Sequence, residues 1–193
     1  DLLQYRFKDG RLKNQSFGNL FLAAMAGISD NFEEAVQKMS SVLAVTGKVI
    51  PVTLDNMQLI AKLQNGNIVE GESQIPEEAI NQNSRIDELR IKPENAKPLK
   101  EALDALKEAD AIVMGPGSLY TSITSNLLVK DISKAVRKSN AIKIYISNIM
   151  TQPGETTGFK VSDHLKVLRK YGGKDIVDYA IVNTGEITEE LKE

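Results

Sequence analysis

The chain has 193 residues, 24 basic and 26 acidic side chains, a formal net charge of −2 and 41% hydrophobic residues. This length and composition suit one globular domain, residues 1–193, that buries enough apolar surface to need no disulfide. The absence of cysteine and the presence of only one histidine, His164, exclude a disulfide framework, a cysteine-ligated or multi-histidine metal site and a thiol nucleophile in this chain.

The charged residues are interspersed along the chain and form no basic block, so nucleic acid is not an expected partner. No apolar run approaches the roughly 18 residues of a membrane span, and no signal peptide opens the sequence. We therefore expect a cytoplasmic protein without a membrane partner. The sequence starts at Asp1 without an initiator Met, which suggests that it begins within a longer protein.

The N-terminal quarter predicts two helices and a strand. Helices are expected over residues 20–25 and 31–43, the second capped by Asp30 or Asn31. Its buried stripe, at helical spacing, would be Phe32, Ala35, Val36 and Met39. Residues 49–54 are typical of a strand, and Pro51 favours an edge or a bulge there.

The middle of the chain predicts an antiparallel hairpin over residues 57–73, because Asn65-Gly66 is a strong type I′ turn signal. Residues 75–85 are polar, and we expect them to be irregular. A strand is expected over residues 86–92. A helix with Pro98 in its first turn is expected over residues 97–108.

The C-terminal half follows a βαβαβ rhythm, which favours a parallel sheet covered by helices on both faces. The predicted strands are residues 110–114, 141–147 and 177–182, and the predicted helices are residues 132–138 and 162–171.

Two loops follow successive strands, where ligands of open parallel sheets bind. In residues 115–122, Gly115 and Gly117 would admit a ligand, hydroxyl groups would bind it, and amides at the next helix would favour an anion. The alternative is a tight turn in which Ser118 caps the helix. Residues 148–158 are rich in hydrogen-bonding groups, as many surface loops are, but the two loops would lie side by side.

Three other features have both a binding and a structural interpretation. Gly18-Asn19 precedes a helical run and could contact a phosphate or ribose, although a helix cap is the favoured interpretation. His164 lies in the first turn of a helix, where a structural or solvent-facing role is more common than catalysis. Asp55 could hold a metal or a ribose hydroxyl, or open a turn with Asn56.

Five ordered blocks of the sequence resemble the gluconeogenesis factor (YvcK-like) family of bacteria, in the CofD-like superfamily that includes 2-phospho-L-lactate transferase. The blocks are residues 15–24, 49–56, 69–73, 115–122 and 148–156. The resemblance implies a Rossmann-like three-layer α/β fold with a mostly parallel sheet. Family members begin with a first strand and a glycine-rich loop, which are missing here, and many have a histidine where this chain has Gln15.

The resemblance to the gluconeogenesis factors implies binding of UDP-sugars and a role in cell shape and wall synthesis during growth on gluconeogenic carbon sources, with no established reaction. The transferase branch implies Mg²⁺-dependent transfer of a phospholactyl group from a nucleotide-diphospho donor. Residues 69–73 and 152–156 look more like the first branch. Whether the protein is an enzyme stays open.

These considerations predict a site for a small nucleotide-sugar ligand without a certain cofactor, Mg²⁺ entering only in a transferase. A homo-oligomeric scaffold is a further alternative, since an edge strand and the hairpin could pair with another subunit. No metal ligands are assigned. The predicted ligand-binding residues are Gly18, Asn19, Gly115, Gly117, Ser118, Leu119, Thr121 and Asn148.

Overall fold

The computed structural model describes residues 2–43 and 47–185. The chain forms two compact units, Asp1–Leu54 and Asp55–Glu193. The single domain predicted for residues 1–193 remains a prediction.

The first unit contains two packed helices, α1 (Phe17–Gly27) and α2 (Phe32–Val42), preceded by short 3₁₀ turns at Leu2–Gln4 and Gly10–Leu12. The cap predicted at Asn31 is confirmed, because its Oδ1 accepts the Glu34 amide at 2.9 Å.

Two details of the first unit differ from the sequence-based expectation. Phe32 is 47% exposed, because it is the first helical residue and burial begins a turn later, at Ala35 and Val36. The strand predicted over residues 49–54 is wrong, and these residues contain only a single bridge position, at Thr53. Pro51, which lacks the amide hydrogen that a strand ladder needs, interrupts this segment.

In the second unit, a three-stranded antiparallel sheet has the order β2-β1-β3, formed by β1 (Gln58–Leu63), β2 (Ile68–Glu70) and β3 (Ile86–Lys92). The hairpin predicted around Asn65-Gly66 is confirmed, with Ala61 opposite Val69. The antiparallel pairing of β1 with β3, Leu59 opposite Ile91, was not predicted.

Residues expected to be irregular form helix α3 (Gln74–Asn81), so that prediction is wrong. Ile75 and Ala79 are one helical turn apart and are both buried, so they form the apolar face of this helix. The polar residues around them made this helical spacing hard to recognise in the sequence. The helix predicted from residue 97 begins later, as α4 (Lys100–Glu108). Pro98 disfavours helical geometry at the residue before it.

The parallel sheet has the order β4-β5-β6, formed by β4 (Ala111–Met114), β5 (Ile142–Ile146) and β6 (Tyr179–Ile181). Both predicted connecting helices are present, as α6 (Ile132–Lys138) and α7 (Val161–Gly172). A π-helix (Leu119–Thr124) and the short α5 (Ser125–Leu128), which were not predicted, follow the β4 turn.

The core of this unit lies on the sheet face that carries Ile112, Met114 and Tyr145, all buried. The opposite face exposes Val113, Ile142 and Tyr179 by 51 to 65%. Helices therefore cover, within the described part of this unit, one of the two faces for which a cover was predicted. Among the described residues, no helix is both long and apolar enough to cross a membrane.

Candidate functional site

The candidate site lies beyond the carboxyl ends of the three parallel strands, where open α/β sheets bind their ligands. Residues 115–118 continue from β4, residues 147–160 continue from β5, and residues 182–185 continue from β6. The amide of Ser147 donates to the Ile181 carbonyl at 2.9 Å, which keeps the β5 and β6 ends together.

Asn148 connects the two predicted loops through its side-chain amide. Its Oδ1 accepts the Gly117 amide at 3.1 Å, and its Nδ2 donates to the Gly117 carbonyl at 3.0 Å. This pair of hydrogen bonds satisfies both main-chain groups of Gly117 and fixes the β4 loop against the β5 loop.

Ser118 makes a second connection between the loops, because its Oγ donates to Gln152 Oε1 at 2.8 Å. The alternative role as a helix cap is not seen, since the Ser118 side chain makes no capping hydrogen bond to the π-helix that follows it. Its contact with a ligand stays a prediction.

Glu155 is a charged-type side chain in the interior, only 3% exposed. Its Oε2 accepts the Tyr120 amide at 2.9 Å and the Thr121 amide at 3.4 Å, and its Oε1 accepts the Thr121 hydroxyl at 2.8 Å and Gln152 Nε2 at 3.3 Å. The anion at this helix start is therefore the protein's own carboxylate, which occupies amides that the sequence suggested for a ligand.

Two glycines of the loops lie so close to the backbone of other residues that a side chain would not fit there. Gly115 has a φ of 92°, and a Cβ there would lie 2.6 Å from the Ile146 carbonyl oxygen. Gly154 has a φ of 79°, and a Cβ there would clash with the carbonyl of Pro76, at the start of α3. Both positions need glycine for chain packing, independently of any ligand.

An open cleft of about 580 Å³ lies along these loops, lined by Pro116 and residues 146–153. This volume is within the range of pockets for small molecules and cofactors, about 300–1,000 Å³. The cleft walls combine apolar side chains, such as Ile149 and Met150, with the amides and hydroxyls of Asn148, Thr151 and Gln152.

His164 is buried, with 4% exposure, and its Nδ1 lies 2.7 Å from the Tyr145 hydroxyl oxygen. Burial lowers the pKa of His164, against an opposing effect of Asp163. Burial also raises the pKa of the Tyr145 hydroxyl, and the nearby Ser147 side chain opposes that rise. The solvent-facing alternative for His164 is wrong, because the ring is buried and hydrogen-bonded to Tyr145.

The structure brings together six of the eight predicted residues, all in the second unit: Gly115, Gly117, Ser118, Leu119, Thr121 and Asn148. Leu119 is fully buried, so its side chain serves packing, and Thr121 is held by Glu155. Ligand contacts of all six stay predictions.

Gly18 and Asn19 lie in α1 of the first unit. The favoured cap there is confirmed, because Ser16 Oγ accepts the Asn19 amide at 3.2 Å. A Cβ at Gly18 would lie 2.9 Å from the Leu3 carbonyl oxygen, which gives this glycine a packing role. Their contact with a ligand also stays a prediction.

Asp55 Oδ2 accepts the Lys97 amide at 2.7 Å, which places this carboxylate at the approach to α4. Within residues 2–43 and 47–185, no group of three or more His, Cys, Asp or Glu side chains could hold a metal ion.

The sequence analysis missed the roles of Gln152 and Glu155 as connectors of the two loops, and that of Thr156 within the β5 loop. Thr156 is 1% exposed, and its Oγ1 accepts the Gln152 amide at 2.8 Å. The available signal was the position of three polar residues around a Pro-Gly turn at a strand end. A single sequence, however, does not indicate that a carboxylate is buried.

The fold and these loops define an α/β protein with a small-molecule cleft at the carboxyl end of a parallel sheet. The chain belongs to the family described as 2-phospho-L-lactate transferase CofD, whose model matches residues 1–193.

Relatives within this family have related names. The chain is 67% identical over 192 residues to the "Putative gluconeogenesis factor" of Clostridium acetobutylicum, covering 100% of this chain and 43% of that protein. It is 46% identical over 193 residues to the "Gluconeogenesis factor" of Bacillus subtilis, covering 100% of this chain and 60% of that protein. The resemblance to gluconeogenesis factors is thereby confirmed.

Among solved structures, the chain is similar to a UPF0052 family protein of Bacillus halodurans, with a TM-score of 0.87 and 44% sequence identity over 97% of this chain and 60% of that chain. This similarity confirms the α/β fold class. The chain thus spans about two fifths to three fifths of the length of these relatives.

Proposed function

We propose that this chain is the cleft-bearing part of a nucleotide-sugar-binding regulator, which responds to UDP-sugars in bacteria growing on gluconeogenic carbon sources. The observation that carries this proposal is the cleft of about 580 Å³ at the carboxyl ends of the parallel strands. Its role in cell shape and wall synthesis, and its cytoplasmic location, are parts of the same proposal.

The chemistry of the cleft favours binding over reaction. The Thr151 hydroxyl, and the second NH₂ hydrogens of Asn148 and Gln152 that the loop contacts leave over, are suited to hydrogen bonds with sugar hydroxyl and phosphate oxygens. The carboxylate of Glu155 is saturated by four donors, so it is committed to holding the loops. The names of the relatives support the gluconeogenic context.

Calorimetric titration of the whole protein with UDP-N-acetylglucosamine tests this proposal, with NAD as the control ligand. Replacement Thr151→Val removes a hydroxyl from the cleft wall and should weaken binding about five- to tenfold, the loss of about one hydrogen bond. The matched Thr157→Val, outside the cleft lining, should bind as the wild type does. Absence of UDP-sugar binding by the wild type would overturn the proposal.

The alternative is a Mg²⁺-dependent transferase of the phospholactyl type, which the family description favours. In that case metal would neutralise charge on the diphosphate of the donor. Incubation of the whole protein with Mg²⁺, a nucleotide-diphospho donor and a deazaflavin acceptor separates the two functions. Release of nucleoside monophosphate that depends on the acceptor supports a transferase, whereas UDP-sugar binding without turnover supports the regulator.

A further inference from the structure

The side chains that line the cleft are uncharged in the part of the chain that the structure describes. The lining consists of Pro116 and residues 146–153, and none of these residues is Lys, Arg, His, Asp or Glu. A nucleotide sugar carries a negatively charged diphosphate between two uncharged ends, the nucleobase and the sugar. Charge therefore decides which part of such a ligand the cleft is suited to hold.

The usual protein groups that bind a diphosphate are not offered by this cleft. Lysine and arginine side chains supply the positive charge in many phosphate sites, but the lining contains neither. Main-chain amides at the start of a helix bind phosphate as well. Here the amides of Tyr120 and Thr121 already donate to Glu155 Oε2, at 2.9 Å and 3.4 Å. The two donors that would otherwise compensate the charge of a diphosphate are therefore engaged.

Glu155 also places a negative charge directly behind the cleft wall. Its Oε1 accepts Nε2 of the cleft-lining Gln152 at 3.3 Å. Because Glu155 is only 3% exposed, solvent ions screen its charge poorly, and like charges repel more strongly than they do in water. A diphosphate bound against Gln152 would meet this repulsion, whereas an uncharged ring would not.

The apolar part of the cleft wall suits the flat face of a nucleobase. Ile149 is 76% exposed and Met150 is 66% exposed, and both border the cleft together with Pro116 and Pro153. Covering such side chains with a ring removes apolar surface from water, and a methionine sulfur makes favourable contacts with aromatic rings. A sugar, which carries hydroxyl groups around its ring, covers apolar surface less well. The wall therefore favours the base over the sugar.

The spare hydrogen-bond donors of the cleft suit the edge of uracil. Asn148 Nδ2 donates one hydrogen to the Gly117 carbonyl, and Gln152 Nε2 donates one to Glu155. Each of these NH₂ groups has a second hydrogen left over. Uracil presents two carbonyl oxygens, which accept such hydrogens. Cytosine has an amino group, itself a donor, in place of one of these oxygens, so the leftover hydrogens favour uracil over cytosine.

We propose that this cleft is the nucleobase subsite of the ligand, and that it takes a uracil ring while the diphosphate and the sugar lie outside it. The face of the base covers Ile149 and Met150, and its carbonyl edge accepts hydrogens from Asn148 and Gln152. This assignment rests on the proposed nucleotide-sugar function and names the part of the ligand that this chain recognises. A free nucleoside should therefore bind in the cleft, and a free sugar should not.

Methyl nuclear magnetic resonance of the whole protein tests this assignment. The protein is labelled at its methionine and isoleucine methyl groups, and the two signals of interest are identified as those lost in Met150→Leu and Ile149→Val. Uridine, cytidine and N-acetylglucosamine are titrated separately at constant pH and ionic strength. We expect saturable movement of both signals with uridine, binding about fivefold or more weaker with cytidine because a donor is left unpaired, and no movement with N-acetylglucosamine.

Ile149→Ala should weaken the effect of uridine on the Met150 signal about threefold or more, because it removes apolar contact with the base. Ile68→Ala is the matched control, since Ile68 is 68% exposed on β2 and lies outside the cleft lining, and it should leave the response unchanged. No response to uridine, or an equal response to cytidine or to N-acetylglucosamine, would overturn the assignment.

Calorimetric titration of the same preparation with UDP-N-acetylglucosamine separates this assignment from the function on which it rests. Binding of the UDP-sugar without a uridine response at the Ile149 and Met150 signals overturns the nucleobase subsite and leaves the proposed function standing. Absence of UDP-sugar binding overturns both.

Discussion

At the scale of single residues, the buried carboxylate of Glu155 is the main connection between the two loops of the site. It receives two amides and a hydroxyl from the β4 side and one amide from Gln152. Hydrogen bonds to a charged acceptor contribute more than neutral ones, and a buried donor that loses its partner incurs a desolvation penalty.

Glu155→Gln should therefore lower the free energy of unfolding by about 2–4 kcal/mol, because the new NH₂ group faces existing donors. Denaturant unfolding measures this loss. Glu70→Gln, at an exposed position of β2, should change stability by less than about 0.5 kcal/mol. Equal effects of the two replacements would show that Glu155 does not hold the loops.

His164 supplies a prediction about acid sensitivity. Its folded-state pKa is lowered by burial below the ordinary value of 6.5, so protonation favours the unfolded state. The stabilising contribution of the neutral His164 ring is complete above the ordinary pKa of 6.5. It is lost as pH falls from that value through the folded-state pKa. Between about pH 7 and pH 5, wild-type stability should fall more steeply than that of His164→Gln. Parallel slopes in urea unfolding would contradict the assignment.

At the scale of elements, the β5 loop rests on α3 through Gly154, whose positive φ and contact with the Pro76 carbonyl leave no room for a side chain. Gly154→Ala should cost more than Gly66→Ala, which has a similar φ of 91° but nothing within 4 Å of the added carbon. We expect roughly 1–2 kcal/mol for Gly66→Ala and about 1–3 kcal/mol more for Gly154→Ala in thermal unfolding. Similar losses would exclude the packing role.

Helix α3 offers a test of the contact that sequence patterning failed to indicate. Ile75 is fully buried and Ile80 is 55% exposed on the same helix. Ile75→Ala should lower the free energy of unfolding by about 2–5 kcal/mol, because it leaves a cavity in the core. Ile80→Ala should lower it by less than about 1 kcal/mol. A reversed order in chemical denaturation would contradict the burial of this helix.

The elements that could be predicted from the sequence have strong local signals. Asn65-Gly66 specified the hairpin, and the alternation of apolar runs with helical patterns specified β4, β5 and β6. Helix α3 was missed because only two buried residues indicate it. A strand was wrongly predicted for residues 49–54, because their apolar side chains are typical of a strand whereas Pro51 lacks the amide hydrogen that a strand needs. The loops of the site were located from the strand order, but their connection through Glu155 depends on tertiary burial.

At the scale of the whole molecule, α7 connects the two sheets of the second unit. The Tyr171 hydroxyl accepts the Leu89 amide of β3 at 2.7 Å, and Lys170 Nζ donates to the Asp87 carbonyl at 2.6 Å. The loops of the site are thus supported from the parallel sheet, from α3 and from α7. The predicted homo-oligomer stays a prediction.

Hydrogen exchange of the whole protein, with and without UDP-N-acetylglucosamine, tests the central claim most directly, because it locates the ligand on the chain. We predict slower exchange in residues 115–118 and 146–153, which line or border the cleft, and unchanged exchange in the hairpin of β1 and β2. Protection that leaves both loops unaffected, or no protection at all, would contradict the claim that this cleft binds a nucleotide sugar.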